Sequence, residues 1–311
     1  MMLRYLFLSM CICFFGCKND STSPDTSKTT TSQTKKEETK STAANQIEGF
    51  KLRGGVYYEK PTPEALQTKT PYNADNQIFK DGRTFVYDYV MTRKNGQVVI
   101  CKIIKQKGIP MQKAWTFLPI EERDQDCVST LDVLVMGGGS PMLKYLSNKK
   151  MTFLAFLLQM PSGTAQGIKN LGMVENSQNV WMPNPAGRIF NVLQSAPFLF
   201  IQQPYELGHK WNWSTEVPSQ YSDPRWGDWQ ENEKMDFEYE ITGKKSLETA
   251  FGILECWEVS AKGTGLIGQS SLVTYFHEQY GFVQMTYRNI DESTMVMKLL
   301  EIKEPKKKEK Q

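Results

Sequence analysis

Met235-Asp236-Phe237-Glu238-Tyr239-Glu240-Ile241 decides the fold class of this chain. Apolar and acidic residues alternate over seven positions, the period-two pattern of a strand with one wet face and one buried face. Working outward, the same signature recurs on both sides. Trp211, Trp213, Thr215 and Val217 fall on one face of a strand, and Gly252–Val259, Gln269–Phe276, Gly281–Asn289 and Thr294–Ile302 follow. Lys262–Gly268, Glu278–Tyr280 and Asp291-Glu292 separate them as turns. Upstream, Thr84–Met91 and Gln97–Ile104 are β-branched and aromatic runs joined through Asn95-Gly96, a dipeptide that suits a type I′ hairpin. Leu143–Leu146 and Met151–Leu158, around Ser147-Asn148-Lys149-Lys150, read as a second hairpin or a short helix, after the break at Gly137-Gly138-Gly139-Ser140-Pro141. Residues 159–186, with Gly163, Gly167, Gly172, Pro183 and Pro185, read as loop and connector. The expected fold is mainly β with few helices: an antiparallel sheet curled into a half-barrel or open barrel, in one body or in two β sub-domains, residues 49–186 and 187–302.

The N-terminal 48 residues are of another kind. Arg4 and an apolar run from Tyr5 to Phe15 have the length of a signal-peptide core and fall short of the ~20 residues that span a bilayer. Gly16-Cys17 after that run resembles the lipobox of bacterial lipoproteins, although Phe14 stands where that pattern prefers Leu. The resemblance implies cleavage after residue 16, lipidation of Cys17 (a palmitate among its acyl chains) and anchorage in the outer membrane, on either its periplasmic or its external face. An ordinary cleaved leader with a chance cysteine is the alternative. Residues 17–48 are dominated by Ser, Thr and Lys, cannot bury enough surface to offset their ordering entropy, and read as a tether. Its reach is about 30 Å from the scaling of flexible chains. Lys18-Asn19-Asp20 resembles the surface-export signal of some Bacteroidetes lipoproteins, and Asp20-Ser21-Thr22 the O-glycosylation triplet of that group, which makes Ser21 a glycosylation candidate.

Charge removes one class of partner. Net charge is +3; the tail 303–311 supplies +3, residues 18–45 supply +1 and Arg4 +1, so residues 46–302 carry −2. A body near neutrality offers no electrostatic footprint for nucleic acid. Lys306-Lys307-Lys308 in the tail reads as a solvated terminus.

Beyond Cys17, three cysteines follow the leader. Cys101 and Cys127 are the disulfide candidates, and Cys256 reads as a buried small hydrophobe. No CxxC exists, so neither zinc nor thiol redox chemistry is supported, and no cofactor is expected. Gly263-Thr264-Gly265-Leu266-Ile267-Gly268 fits GxGxxG, but a strand and not a helix follows, so a loose hairpin turn explains it better. His209 and His277 are the only histidines, and His277-Glu278 on a strand point to opposite faces.

Two places could contact a ligand. The stretch Pro218–Lys234 carries Tyr221, Arg225, Trp226 and Trp229, residue types enriched at binding hot spots; the alternative is that the tryptophans cap an open sheet end. The row Trp211, Trp213, Phe237 and Tyr239 would line a groove in an open half-barrel, with core packing as the alternative.

An ordered series then resembles a known group. Tyr205-Glu206-Leu207-Gly208, Trp211 and Trp213, the strand 239–243, Thr249 to Cys256 and Tyr275 to Val283 are similar to an uncharacterised family of exported bacterial β-domains compared with the LolA/LolB-like half-barrel. The resemblance implies fold, and by analogy an acyl chain or apolar peptide on a concave face. The expected function is a lipid-anchored, non-enzymatic envelope lipoprotein that binds an apolar or envelope ligand. The rivals are a structural or adhesive component, marked by a filled interior, and an enzyme using carboxylates such as Asp228, Glu231 or Glu233.

Overall fold

Among the described residues sixteen strands form, some where the alternation calls for them and some where it does not. The computed structural model describes residues 47–60, 75–104, 114–136 and 152–305. The leader, most of the tether with Cys17 and Ser21, the expected arm Leu143–Leu146, the Gly137–Pro141 break and Lys306–Lys308 lie outside the described residues.

A short hairpin comes first, β1 (Phe50–Arg53) and β2 (Val56–Glu59). Then come β3 (Thr84–Thr92), β4 (Val98–Ile103), β5 (Trp115–Pro119), β6 (Thr130–Met136) and β7 (Thr152–Gln159). They are followed by β8 (Ala165–Glu175), β9 (Asn179–Met182), β10 (Leu199–Gln202) and β11 (Lys210–Val217). The last five are β12 (Glu233–Thr249), β13 (Gly252–Gly265), β14 (Gly268–His277), β15 (Gly281–Arg288) and β16 (Thr294–Lys303). All but β1 and β2 belong to one antiparallel sheet of 14 strands, in the order β10-β9-β8-β7-β6-β3-β16-β15-β14-β13-β12-β11, with β4 and β5 branching from β3. The sheet is nearly closed into a barrel with one unsealed seam, between its end strands β10 and β11. Strand β3 pairs with β16 from Thr84↔Lys303 to Thr92↔Thr294, so residues 49–186 and 187–302 contribute strands to one continuous sheet.

The inward rows are as apolar as the pattern requires. Phe85, Tyr87, Tyr89 and Met91 of β3, Met295, Met297 and Leu299 of β16, and Met235, Phe237, Tyr239 and Ile241 of β12 are all buried. Each large side chain removed from water contributes about 1.5–3 kcal/mol.

Three sequence readings are corrected. Residues 159–186 hold β8 and β9: β8 pairs with β7 from Thr152↔Met173 to Gln159↔Ala165, with a bulge at Phe156/Leu157. Backbone pairing needs no side-chain alternation, and Gly167 and Gly172 hide it. The Asn95-Gly96 turn is not type I′, since Gly96 alone there has positive φ (83°). Arg93 and Gln97 close a three-residue loop, the Arg93 N–H donating to the Gln97 carbonyl at 2.9 Å, with Gly96 in the left-handed position of a bulged turn. Finally, the 263–268 glycines are not a loose turn. Gly263 and Gly265 lie inside β13, and a tight two-residue turn, Leu266-Ile267, joins Gly265 to Gly268.

Gly263 has a packing reason. It sits opposite Phe237 in the ladder, and a Cβ there would stand 2.8 Å from that ring and 2.5 Å from the Ser270 hydroxyl. The Phe237 ring in turn stacks on Trp213 at 5.3 Å. Gly263→Ala is therefore expected to destabilise the fold by about 1–3 kcal/mol, the usual cost of overpacking, read as a lower urea midpoint with unchanged slope.

Candidate functional site

The barrel interior is occupied by the chain itself. Between β9 and β10 runs Pro183–Phe198, whose central 3-10 segment, Arg188–Ser195, buries every residue except Asn191. Ile189, Phe190, Val192 and Leu193 are fully buried. Phe190 meets Tyr89 of β3 edge-on at 5.2 Å, and the Ser270 hydroxyl of β14 donates to the Ser195 carbonyl at 2.8 Å.

Asn184 fastens this plug. Its Nδ2 donates to the carbonyls of Leu193 (2.7 Å), Pro197 (3.2 Å) and Ala196 (3.3 Å), and its Oδ1 accepts from the Tyr287 hydroxyl of β15 at 2.9 Å. Gln194 donates to the carbonyls of Pro185 (2.8 Å) and Asn184 (3.3 Å). A buried loop is stable only if its backbone polar groups find partners, and these two amides supply them. In the sequence Ile189, Phe190, Val192 and Leu193 recur at helical spacing, but one short amphipathic turn does not announce that a barrel encloses it.

Trp211 and Trp213 lie at the seam. Trp211 is buried between the rings of Tyr239 (5.4 Å, stacked) and Phe200 of β10 (5.6 Å, edge-on). Trp213 touches Phe198 at 4.7 Å and Trp181 of β9 at 5.6 Å. The Tyr239 hydroxyl donates to the Phe198 carbonyl at 3.1 Å. Side chains thus join the two end strands where backbone bonds do not.

The β1–β2 hairpin lies across the same place. The Tyr57 N–H donates to Asn179 Oδ1 at 2.7 Å, Asn176 Nδ2 donates to the Tyr57 carbonyl at 2.9 Å, and Gln202 Nε2 donates to the Gly55 carbonyl at 3.1 Å. Gly55, at φ 90°, abuts the Asn212 carbonyl of β11 so closely that a Cβ would stand 2.2 Å from it.

The stretch Pro218–Lys234 packs onto the barrel. Trp226, Trp229 and Tyr221 are buried. Trp226 stacks on Trp115 of β5 at 6.0 Å, and the Arg225 guanidinium lies over the Trp115 ring at 3.5 Å. Asp223 orients that guanidinium, accepting from Nε at 2.7 Å and from Nη2 at 2.6 Å. Lys169 of β8 donates to the Tyr221 hydroxyl. The structure thus gathers Tyr221, Arg225 and Trp226 into one cluster with Trp115, and it separates them from the seam pair Trp211 and Trp213. Of the candidate acids of this stretch, Asp228 and Glu231 are exposed and Glu233 is half-buried, and Asp228 accepts from the Ser222 hydroxyl at 2.8 Å.

Cys101, Cys127 and Cys256 are free and buried. Cys127 bridges Lys102, next to Cys101 in sequence. Burial pushes the Cys101 thiol up to about 12 and the Cys256 thiol to about 11, so both are protonated at neutral pH and neither is a nucleophile. Burial also lowers both histidines below their ordinary value. His209 stacks on Trp211 at 5.5 Å, and His277 lies against Tyr280 at 5.0 Å, its Nδ1 accepting from the Gln279 N–H. Among the described residues, no three His, Cys, Asp or Glu side chains gather in a metal-binding arrangement.

One carboxylate was not singled out by the sequence. Glu175, at the end of β8, accepts three successive backbone N–H groups, those of Gln77, Ile78 and Phe79, each at 2.8 Å. It fixes the approach to β3 and seats the buried Phe79 against Phe85 at 4.7 Å. No motif announces this, because its partners lie about a hundred positions away.

No family model matches the chain, and no curated protein matches it. Among solved structures it is similar to a protein described as exported, with a YmcC-like fold, from Bacteroides fragilis. That match has 9% identity and a TM-score of 0.36 and covers 72% of this chain and 97% of the other. A protein described as a lipoprotein from Parabacteroides distasonis matches at 11% identity, TM-score 0.34, over 74% and 100% of the two chains. The hypothetical lipoprotein YmcC from Escherichia coli matches at 10% identity, TM-score 0.30, over 73% and 90%.

Proposed function

We propose that this chain is a lipid-anchored lipoprotein of the cell envelope, held in the outer membrane through Cys17, and that its barrel is a solid, non-enzymatic structural body acting through its outer surface. One observation carries the structural part: the interior is filled by Pro183–Phe198 and its amide network. A carrier of acyl chains or apolar peptides needs that volume. The seam, the other route to a concave face, is occupied by Trp211, Trp213 and Phe200 and crossed by the β1–β2 hairpin. The thiols, held protonated, and the water-facing Asp228 and Glu231 agree with a body without catalytic machinery. The leader, Cys17 and the polar tether support the anchor.

The test is native mass spectrometry of full-length protein extracted from its own membrane. The expected spectrum shows the acyl mass on Cys17 and no further stoichiometric lipid. A second bound lipid that survives desalting would overturn the solid-body reading. Separately, Cys17→Ser is expected to move the protein from the detergent phase to the aqueous phase on phase partitioning. Retention of that variant in the detergent phase would end the anchor reading.

A further inference from the structure

The β12–β13 hairpin is longer than the barrel needs. Strand β11 accompanies β12 only as far as Lys210↔Glu240, and the last bonds along that edge are Gly208 N–H to the Ile241 carbonyl and Ile241 N–H to the His209 carbonyl. On the other side, β14 accompanies β13 only from Trp257↔Phe276 onward. Past a bulge at Ile241/Gly243, Gly243–Thr249 pairs with Gly252–Glu258, and from Lys245↔Cys256 to Thr249↔Gly252 no third strand joins them among the described residues, which leaves a two-stranded arm.

The two edges of the arm differ. On the β13 side, the tip residue Phe251 stacks on Tyr280 at 4.7 Å, and Tyr280 meets His277. On the β12 side, no strand pairs with Gly243–Thr249 among the described residues, and Lys244, Lys245, Ser246 and Glu248 are all exposed. Side chains link the two strands of the hairpin: Lys244 lies 3.9 Å over the Trp257 ring, and Lys245 pairs with Glu258 at 2.6 Å.

The polarity of the backbone on that edge follows from the turn. Ala250-Phe251 is a two-residue connection, so Thr249 and Gly252 form its hydrogen-bonded pair. Alternation along an antiparallel ladder then turns the N–H and C=O groups of Lys244, Ser246 and Glu248 outward. An open edge of this kind is a template for another strand.

We propose that this edge pairs, antiparallel, with the same edge of a second copy, with Ser246 opposite Ser246 at the two-fold axis. In this register Lys244 of each copy faces Glu248 of the other, twice by symmetry, and about six ladder hydrogen bonds form. The neighbouring registers lose both charge pairs. One step toward the base sets Lys245 against Lys245, and one step toward the tip leaves Lys244 opposite uncharged Ala250. Opposite charges directly across a ladder stabilise it and like charges oppose it. Antiparallel pairing also brings the tip of one arm, with the exposed Ile253, beside the base of the other, where Leu207 is equally exposed (77% and 75%). The interface is small, so the dimer is weak and concentration-dependent.

Sedimentation velocity of the full-length chain in detergent, up to about 100 μM, is expected to show a monomer–dimer equilibrium. Lys244→Glu should weaken it at least tenfold, and Lys244→Glu with Glu248→Lys should restore it. The register is read by cross-linking. Ser246→Cys should form a disulfide dimer under mild oxidation, because the paired Cα atoms fall within bridging distance. Lys244→Cys should not, since its counterpart lies four positions along the strand. A monomer across the whole range, or a charge reversal without effect, would overturn the proposal. So would equal cross-linking of the two cysteine variants. All substituted side chains are exposed on the arm, and near-UV circular dichroism confirms that each variant keeps the barrel.

Discussion

Asn184→Leu is expected to cost about 4 kcal/mol or more, because it orphans several buried polar groups at once. The amide donates to three carbonyls of its own segment and accepts from the Tyr287 hydroxyl. Leucine has a similar volume, so the effect is not a cavity; it is the desolvation of carbonyls that have lost their donor, at about 1–3 kcal/mol each. Two companion variants separate the causes. Tyr287→Phe removes one hydroxyl and leaves the Asn184 donors in place, so about 1 kcal/mol is expected. Phe190→Ala leaves every hydrogen bond intact and opens a cavity against Tyr89, for about 3–5 kcal/mol. Urea denaturation should rank the three as Asn184→Leu and Phe190→Ala well below Tyr287→Phe. If Asn184→Leu matched wild type, the interior segment would not be held by its amide network.

Glu175→Leu is the second large expected effect, about 3 kcal/mol, since it strands three N–H groups that the carboxylate gathers at 2.8 Å. Glu175→Gln keeps one acceptor oxygen and should lose about half as much. The carboxyl also predicts a pH dependence of definite sign. Burial raises it above its ordinary value of 4.5, and the N–H groups of Ile78, Phe79 and Gln77 offset this only in part. The folded state therefore binds a proton more readily than the unfolded state, and this group makes stability fall as pH rises from about 4.5 through the raised value. Denaturation midpoints between pH 4 and 7 should show that component in wild type and lose it in Glu175→Gln. A difference between the two proteins that stays constant with pH would contradict the assignment.

What the sequence disclosed depended on the type of interaction. The C-terminal strands were legible because each has one wet face and one dry face: Met235 to Ile241 alternate in the chain and in the barrel alike. Strands β8 and β9 escaped because membership in a sheet is settled by backbone pairing, which glycine-containing segments satisfy without a side-chain pattern. The plug escaped for a related reason. Its apolar residues follow a short helical period, but Arg188, Gln194 and Ser195 are buried with them, so the period marks no wet face. The tryptophans were recognisable as anchors, but sequence could not say what they anchor to: Trp115 is remote in the chain from Trp226, and Phe198 belongs to a different segment from Trp213. Glu175 carries no local signature, its partners being nearly a hundred positions upstream.

The marriage of β3 to β16 has a consequence for biogenesis. The middle of the sheet joins residues 84–92 to residues 294–303, so a ribosome or a translocation pore must release almost the entire polypeptide before the two halves can meet. Contacts between such distant partners form slowly. On the envelope location proposed above, that delay would keep the nascent chain threadable during translocation, with the sheet completed only after arrival.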